Sequence, residues 1–428
     1  MNIAIIGAGI TGVSAARMAK DLGLNVIVFE KTARPGGLVK CERKDGHLFH
    51  RVGGHVFNSK NQQVTEWFWK QFDQEKDFIK AKRNAGILLS GALTGYPIEN
   101  YLYRLDKKLV RQIISEIMAL NALGYKSPYS YPHFEAFLKG NFGETLYGLY
   151  FKPYNQKIWQ TDLKEVALEW LEGKLPMPDY AEILLSNIIQ EDESSMVHST
   201  FYYPKQGGSQ FIIDTIAKGL DIRCNYSVEK IEHKDGKWTI NRDHTFDKIV
   251  YTGDVRLLDS MLLNGNEDTK SKLRSVTDLK SNGTSNMLCE TDDTDLSWLY
   301  LPDPGIKAHR IIYTGNFSDT NNAPGKRKSC VVEFSGQVSY AEMVKELHKL
   351  PGNLNPVDRN YEANSYVIQD HYTREKIRLV KDSLEPIGFY LCGRFAEWEY
   401  YNMDKAIEAG LTLLLGLEKD NLEKIFLK

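Results

Sequence analysis

The chain has 428 residues, 42% of them hydrophobic and 26% charged, with a formal net charge of −2. That length suits two or three lobes around more than one hydrophobic core, and the composition is ordinary for a folded protein. The near-neutral balance excludes a global pull toward nucleic acid, and no run of about 18 apolar residues occurs that would span a bilayer.

The first residues already read as a strand, so a secretory signal is not expected and a cytoplasmic location is. The cysteines Cys41, Cys224, Cys289, Cys330 and Cys392 are odd in number and lack CxxC pairing. They predict free thiols, with neither a disulfide frame nor a metal site.

In chain order, residues 2–6 predict a buried strand, 11–22 a helix and 25–30 a second parallel strand, together one βαβ unit of about 30 residues. A glycine-rich turn region follows, then an aromatic helix over 62–72 and a hairpin over 86–98. From 106 to about 190 the apolar spacing is helical, broken by prolines. A helix over 209–219, strands at 221–224 and 226–233, a hairpin across 234–236 and a buried strand at 248–252 come next. Alternating segments at 286–290, 310–313 and 330–334 predict an antiparallel sheet, and the chain closes with a strand at 388–392 and a helix from Met403. The expected class is α/β: a Rossmann-like domain (1–85, 200–255 and 386–428) with an inserted helical lobe (105–195) and an antiparallel-sheet lobe (86–104 and 256–385).

Gly7-Ala8-Gly9-Ile10-Thr11-Gly12 is a GxGxxG turn between a strand and a helix, and Glu30 closes the second strand. The glycines allow a tight turn, backbone approach to a pyrophosphate and close helix packing; the helix N-terminus faces the phosphates, and Glu30 the ribose. Gly36-Gly37 follows Glu30 after five residues, and Gly393-Arg394 follows the last strand. This order resembles the FAD-binding amine-oxidase-like superfamily and implies FAD as cofactor.

Five segments narrow the resemblance to UDP-galactopyranose mutases: Gly53-Gly54-His55-Val56-Phe57-Asn58, Phe151 to Trp159, Gly173 to Pro176, Ala308 to Ile312, and Cys392 to Ile407. The last reads almost through that family's G-R-[LF]-[AG]-E-[YW]-x-Y-Y-[DN]-M signature. The resemblance implies FAD contacts from Gly7, Gly9, Ile10, Thr11, Gly12, Glu30, Lys31, Gly36, Gly37, Leu38, Gly54, His55, Val56, Val228, Gly393, Arg394, Asn402 and Met403. It implies catalytic roles for Arg310, Lys174 and His55. Substrate contacts are implied for Asn84, Tyr154, Trp159, Lys174, Arg310, Tyr366 and Tyr400. In physical terms, Trp159 offers a stacking platform for uracil, Arg310 and Lys174 supply cations for a diphosphate, and Tyr366 and Tyr400 supply phenolic donors.

The implied activity interconverts pyranose and furanose forms of a UDP-hexose through a reduced-flavin N5–sugar adduct. It requires an electron donor, NAD(P)H or a reductase, and leaves homo-oligomerisation open. The sequence departs from the family at Asn58 (a histidine there), Lys174 (an arginine), Asn402 (commonly an aspartate) and in Ser365 to Asp370. Two alternatives stand beside it. One is an FAD-dependent oxidase or dehydrogenase of the amine-oxidase or protoporphyrinogen-oxidase type; the other is a non-catalytic flavin-binding scaffold.

Overall fold

A computed structural model describes residues 1–124, 126–171, 178–190 and 200–417. Its first sheet grows from the N-terminal strand. Asn2–Ile6 pairs in parallel with Asn25–Phe29 on one side and Lys248–Tyr251 on the other. Asp221–Arg223 and Phe389–Leu391 complete five parallel strands. Such strands are buried on both faces, which is why they read as near-continuous apolar runs. Helices Ile10–Asp21, Ser209–Ile216 and Met403–Leu417 cover one face. The antiparallel strands Ile231–Lys234, Lys237–Ile240 and His244–Phe246, with helix Thr373–Leu384, cover the other.

A second sheet has seven strands, in the order Asn355–Val367, Ser281–Thr291, Lys328–Ser335, Ala308–Ile312, Trp298–Tyr300, Ala85–Leu89, Ala92–Gly95. It is mixed, not wholly antiparallel as expected, because Trp298–Tyr300 runs parallel to Ala85–Leu89. The helices Lys107–Ala122, Phe134–Leu146 and Lys152–Trp159 pack on it through an aromatic core that includes Phe137, Phe142, Phe151 and Trp159.

Other differences have local causes. The strand expected over 226–233 forms only at Ile231–Lys234. Ahead of it, the Asn241 side chain accepts from the Glu229 and Lys230 backbone N–H groups, at 2.9 and 3.1 Å, and takes the place of a strand partner. The 13-residue strand Asn355–Val367 carries a mostly polar, half-exposed sequence, so it lacks the apolar alternation that marks a strand.

One irregularity bears on the site. Between Ala308–Ile312 and Lys328–Ser335 the register moves from Ala308 opposite Phe334 to Arg310 opposite Glu333. Two residues therefore span one, a β-bulge with His309 as the extra residue. Neighbours in a regular strand point to opposite faces; a bulge re-aims one of them.

Candidate functional site

A single cleft of about 540 Å³ runs from the first glycine turn to Arg310. At its near end, Gly7 adopts φ +103°, where a Cβ would lie 2.5 Å from Thr252 Oγ1. A Cβ on Gly12 would lie 1.9 Å from the Gly7 carbonyl oxygen, so only glycine lets the helix approach the strand end this closely. Several other helices are capped by side chains, among them Asn61, Asp106 and Asp179. Gly9 gives Ile10–Asp21 no side-chain cap, and the first residues of that helix, Ile10 and Thr11, line the cleft.

The second glycine pair closes on the first. Gly36 N donates to Ala8 O at 2.9 Å, and a Cβ on Gly37 would come within 3.1 Å of Gly9 Cα. Glu30 is buried, and its two oxygens accept from Ala8 N at 2.8 Å and from Thr32 N at 2.9 Å. Oε1 also accepts from Thr32 Oγ1 at 2.7 Å, so it is Oε2 that keeps a further lone pair for a ribose hydroxyl. Gly393, at φ +93°, lets the last strand meet the same helix, since a Cβ there would strike Thr11.

At the far end three groups converge on one buried carboxylate. Arg310 Nη2 donates to Glu333 Oε1 and Oε2 at 2.8 and 2.9 Å, and the Tyr366 hydroxyl donates to Oε1 at 2.9 Å. His309 Nε2 lies 2.8 Å from Oε1. The bulge explains how His309 and Arg310, adjacent in the chain, reach the same group. Burial alone would raise the Glu333 carboxyl, but Arg310 and His309 outweigh it and hold it well below the usual range. Burial likewise opposes charge on Arg310, and Glu333 reverses the effect. Arg310 Nε is buried without a partner.

Between the two ends lie His55, Arg394 and the tyrosines. Burial, with Arg394 and Arg310 adding, pushes the His55 imidazole down to about 4, so it is neutral at ordinary pH. His55 Nε2 and Arg394 Nε are buried without partners. The Arg394 guanidinium sits 4.4 Å from the Tyr400 ring centroid, and Tyr400 stacks on Tyr366 at 5.7 Å.

Of the residues expected at the site, Gly7, Gly9, Ile10, Thr11, Glu30, Lys31, Gly37, Leu38, Gly54, His55, Val56, Arg310, Tyr366, Arg394, Tyr400, Asn402 and Met403 line this cleft. Gly12, Gly36 and Gly393 stand just behind its wall, where they permit the close approaches described. Val228 does not line it; it packs against the cluster on the sheet's other face. Trp159 is buried rather than presented to the cleft, with ring contacts to Trp170, Tyr400 and Tyr366 at 4.9, 6.0 and 6.2 Å. Tyr154 lies one ring back, edge-on to Tyr300 at 5.5 Å. Asn84 is exposed and tied to Asp295 O at 3.1 Å, off the wall. The Tyr366 proton is committed to Glu333, not aimed at a ligand. Lys174 lies outside the described residues.

Sequence reasoning missed Arg83 and Glu333, both on the wall. A glutamate inside the apolar run Cys330-Val-Val-Glu-Phe334 was the available signal for the second.

Among the described residues no helix is long and apolar enough to cross a membrane, and no cluster of His, Cys, Asp or Glu is arranged to hold a metal.

Comparison with known proteins adds four findings. The family model described as flavin containing amine oxidoreductase matches residues 10–412. The coproporphyrinogen III oxidase of Staphylococcus aureus is 26% identical over 262 residues, 54% of this chain and 54% of that protein. The UDP-galactopyranose mutase of Mycoplasma genitalium is 24% identical over 267 residues, 59% of this chain and 60% of that protein. The chain therefore spans between half and two thirds of the length of these curated relatives. A crystal structure of reduced UDP-galactopyranose mutase superposes with a TM-score of 0.87 at 21% identity, covering 99% of this chain and 97% of that one. The fold is shared with that mutase.

The family implies a flavin, and the residues present fit one. The glycines let strand, loop and helix close on one another around the uncapped start of Ile10–Asp21, and His55 Nε2 and Arg394 Nε, on residues that line the cleft, are buried without hydrogen-bond partners.

Proposed function

Because the chain belongs to the flavin containing amine oxidoreductase family, we propose that its cleft holds FAD and that the protein interconverts pyranose and furanose forms of a UDP-hexose, a UDP-galactose-like substrate. The observation that carries this reading is the charge at the far end of the cleft. Arg310 shares that end with one carboxylate, Glu333, and Arg394 stands beside it toward the middle of the cleft. Of the other carboxylates in the lining, Glu30 and Glu362 act on Lys40, Asp254 pairs with Arg256, and Asp404 lies in the first turn of the last helix. A net positive site attracts a diphosphate and repels the ammonium of an amine substrate.

Reduced FAD, when bound, supplies the nucleophile for the anomeric carbon. The chain's own residues position and stabilise. Glu333, His309 and Tyr366 fix the Arg310 guanidinium before substrate arrives, so no reorganisation is required as charge develops. Departure of UDP builds negative charge on the diphosphate, which Arg310 faces with its uncommitted Nε edge. Tyr400, held against Arg394, borders the same space. His55 is neutral and adds no charge to the cleft wall. Lys174 supplies a further cation in this proposal, and an electron donor, NAD(P)H or a reductase, acts before turnover.

A second reading, an FAD-dependent oxidase of the protoporphyrinogen-oxidase type, is favoured by the match to coproporphyrinogen III oxidase. Oxygen uptake separates the two. A mutase consumes no oxygen with its sugar nucleotide, whereas sustained uptake with a porphyrinogen or an amine, and no conversion of any sugar nucleotide, contradicts the mutase reading.

A further inference from the structure

Arg83 stands just ahead of the strand Ala85–Leu89 and lines the same cleft as Arg310. Its guanidinium carbon lies 5.0 Å from the Trp298 ring, 5.2 Å from Tyr96 and 5.9 Å from Tyr300. Its Nη2 donates to the Tyr300 hydroxyl. Tyr300 is paired with Arg310 across the sheet, so the two cations share one end of the cleft.

Their partners differ. Arg310 has Glu333 as counter-ion, whereas Arg83 has no carboxylate partner among the described residues, and its Nε is buried without any hydrogen bond. Aromatic faces attract a guanidinium but leave its in-plane donors unmet. A sequestered guanidinium in that condition is costly unless a ligand completes it. The group that does so presents two anionic oxygens in one plane to the fork.

We propose that Arg83 binds an acidic group of the substrate separate from the group held at Arg310. The substrate class is then a nucleotide sugar whose sugar carries a carboxylate. This rests on the sugar-nucleotide reading above. The other source of paired anionic oxygens is the diphosphate itself, and the experiment separates the two.

The flavin-loaded protein, reduced with dithionite under argon, is titrated with UDP, UDP-galactose and UDP-glucuronate while the flavin spectrum is followed. Wild type, Arg83→Gln and Arg83→Lys are compared, with flavin content and thermal midpoint recorded for each. Wild type binds UDP-glucuronate about tenfold to a hundredfold more tightly than UDP-galactose. Arg83→Gln abolishes that preference while its affinity for UDP stays within about threefold; Arg83→Lys, which keeps the charge without the fork, retains part of it. Equal affinities for the two sugars in wild type overturn the proposal. So does an equal loss of UDP and UDP-glucuronate in Arg83→Gln, which assigns Arg83 to the diphosphate. If Arg83→Gln fails to hold flavin, the wild-type preference and Arg83→Lys decide. If wild type binds UDP but shows no sugar preference, only the Arg83 proposal fails; if it binds no UDP compound, the sugar-nucleotide reading fails and takes the proposal with it.

Discussion

Arg310 and Glu333 meet across a β-bulge, with one guanidinium nitrogen 2.8 and 2.9 Å from the two carboxylate oxygens. The pair is coupled in both directions: the carboxylate keeps the arginine charged and aimed, and the arginine keeps the carboxylate ionised despite burial. Removing either partner therefore does more than delete one contact. Glu333→Ala strands a buried guanidinium and is expected to cost about 3–5 kcal/mol in chemical denaturation, whereas Glu333→Gln, which can still accept from Nη2, costs less.

Arg310→Lys keeps the charge and discards the fork. The expected result is a fall of about 10²–10³ in kcat with a smaller change in KM, because the lost interaction belongs to the developing charge on the leaving diphosphate. Steady-state kinetics on the reduced enzyme measure it, and a rise in KM with unchanged kcat would instead place Arg310 in ground-state binding.

Gly12→Val places atoms where the Gly7 carbonyl already sits, since even a Cβ falls 1.9 Å from that oxygen. The strand and helix must part, and the cradle opens. The purified variant is expected to carry little or no flavin, read from its absorbance near the visible flavin bands against wild type. Gly37→Ala combines a positive φ of +54° with a 3.1 Å approach to Gly9 Cα, and is expected to reduce flavin content in the same assay.

Trp159 behaves as core. Burial behind Tyr366 and Tyr400 predicts that Trp159→Ala destabilises the fold by about 3–5 kcal/mol, while Trp159→Phe, which keeps most of the volume, costs far less and leaves UDP affinity nearly unchanged. A large loss of UDP affinity in the phenylalanine variant, at near-normal stability, would restore the stacking role read from the sequence.

Acid weakens this protein through buried imidazoles. His50 is fully buried and shares a 2.7 Å hydrogen bond with the Tyr203 hydroxyl; burial pushes it down to about 3. The unfolded chain binds a proton near pH 6.5 and the folded one does not, so the stabilisation is complete above about 6.5 and is lost as pH falls toward 3. The slope amounts to about 1.4 kcal/mol per pH unit in that window. Urea denaturation at several pH values is expected to show it, and His50→Gln to flatten it by about one proton.

How much of this was legible follows from where the information lies along the chain. The dinucleotide unit is local: Gly7, Gly12 and Glu30 belong to one βαβ stretch and Gly37 follows it closely, and each glycine is there for a steric reason that spacing reveals. The Arg310–Glu333 pair is not local. Its geometry depends on a one-residue bulge at His309, and alternation in a sequence cannot show a bulge that only the partner strand defines. Asn84, implied only by its match to a family position, lies off the wall while its neighbour Arg83 lies on it, because consecutive residues at the start of a strand point to opposite sides. The platform role of Trp159 is implied by the family match alone, and the sequence does not separate it from core packing because an aromatic helix looks the same whether its rings face a ligand or a core. The strand Asn355–Val367 escaped notice because a half-exposed strand of asparagine, aspartate, arginine and glutamate carries no apolar signature.

The central claim is tested most directly by incubating the flavin-loaded protein anaerobically with UDP-galactose, and in parallel with UDP-glucuronate, with and without dithionite, and resolving the products by anion-exchange chromatography. A furanose form of a UDP-sugar that appears only in the reduced samples, without net oxidation of the sugar, is the result predicted. Protein that binds the nucleotide sugar yet leaves it unconverted in both redox states, or that oxidises it, would contradict the account.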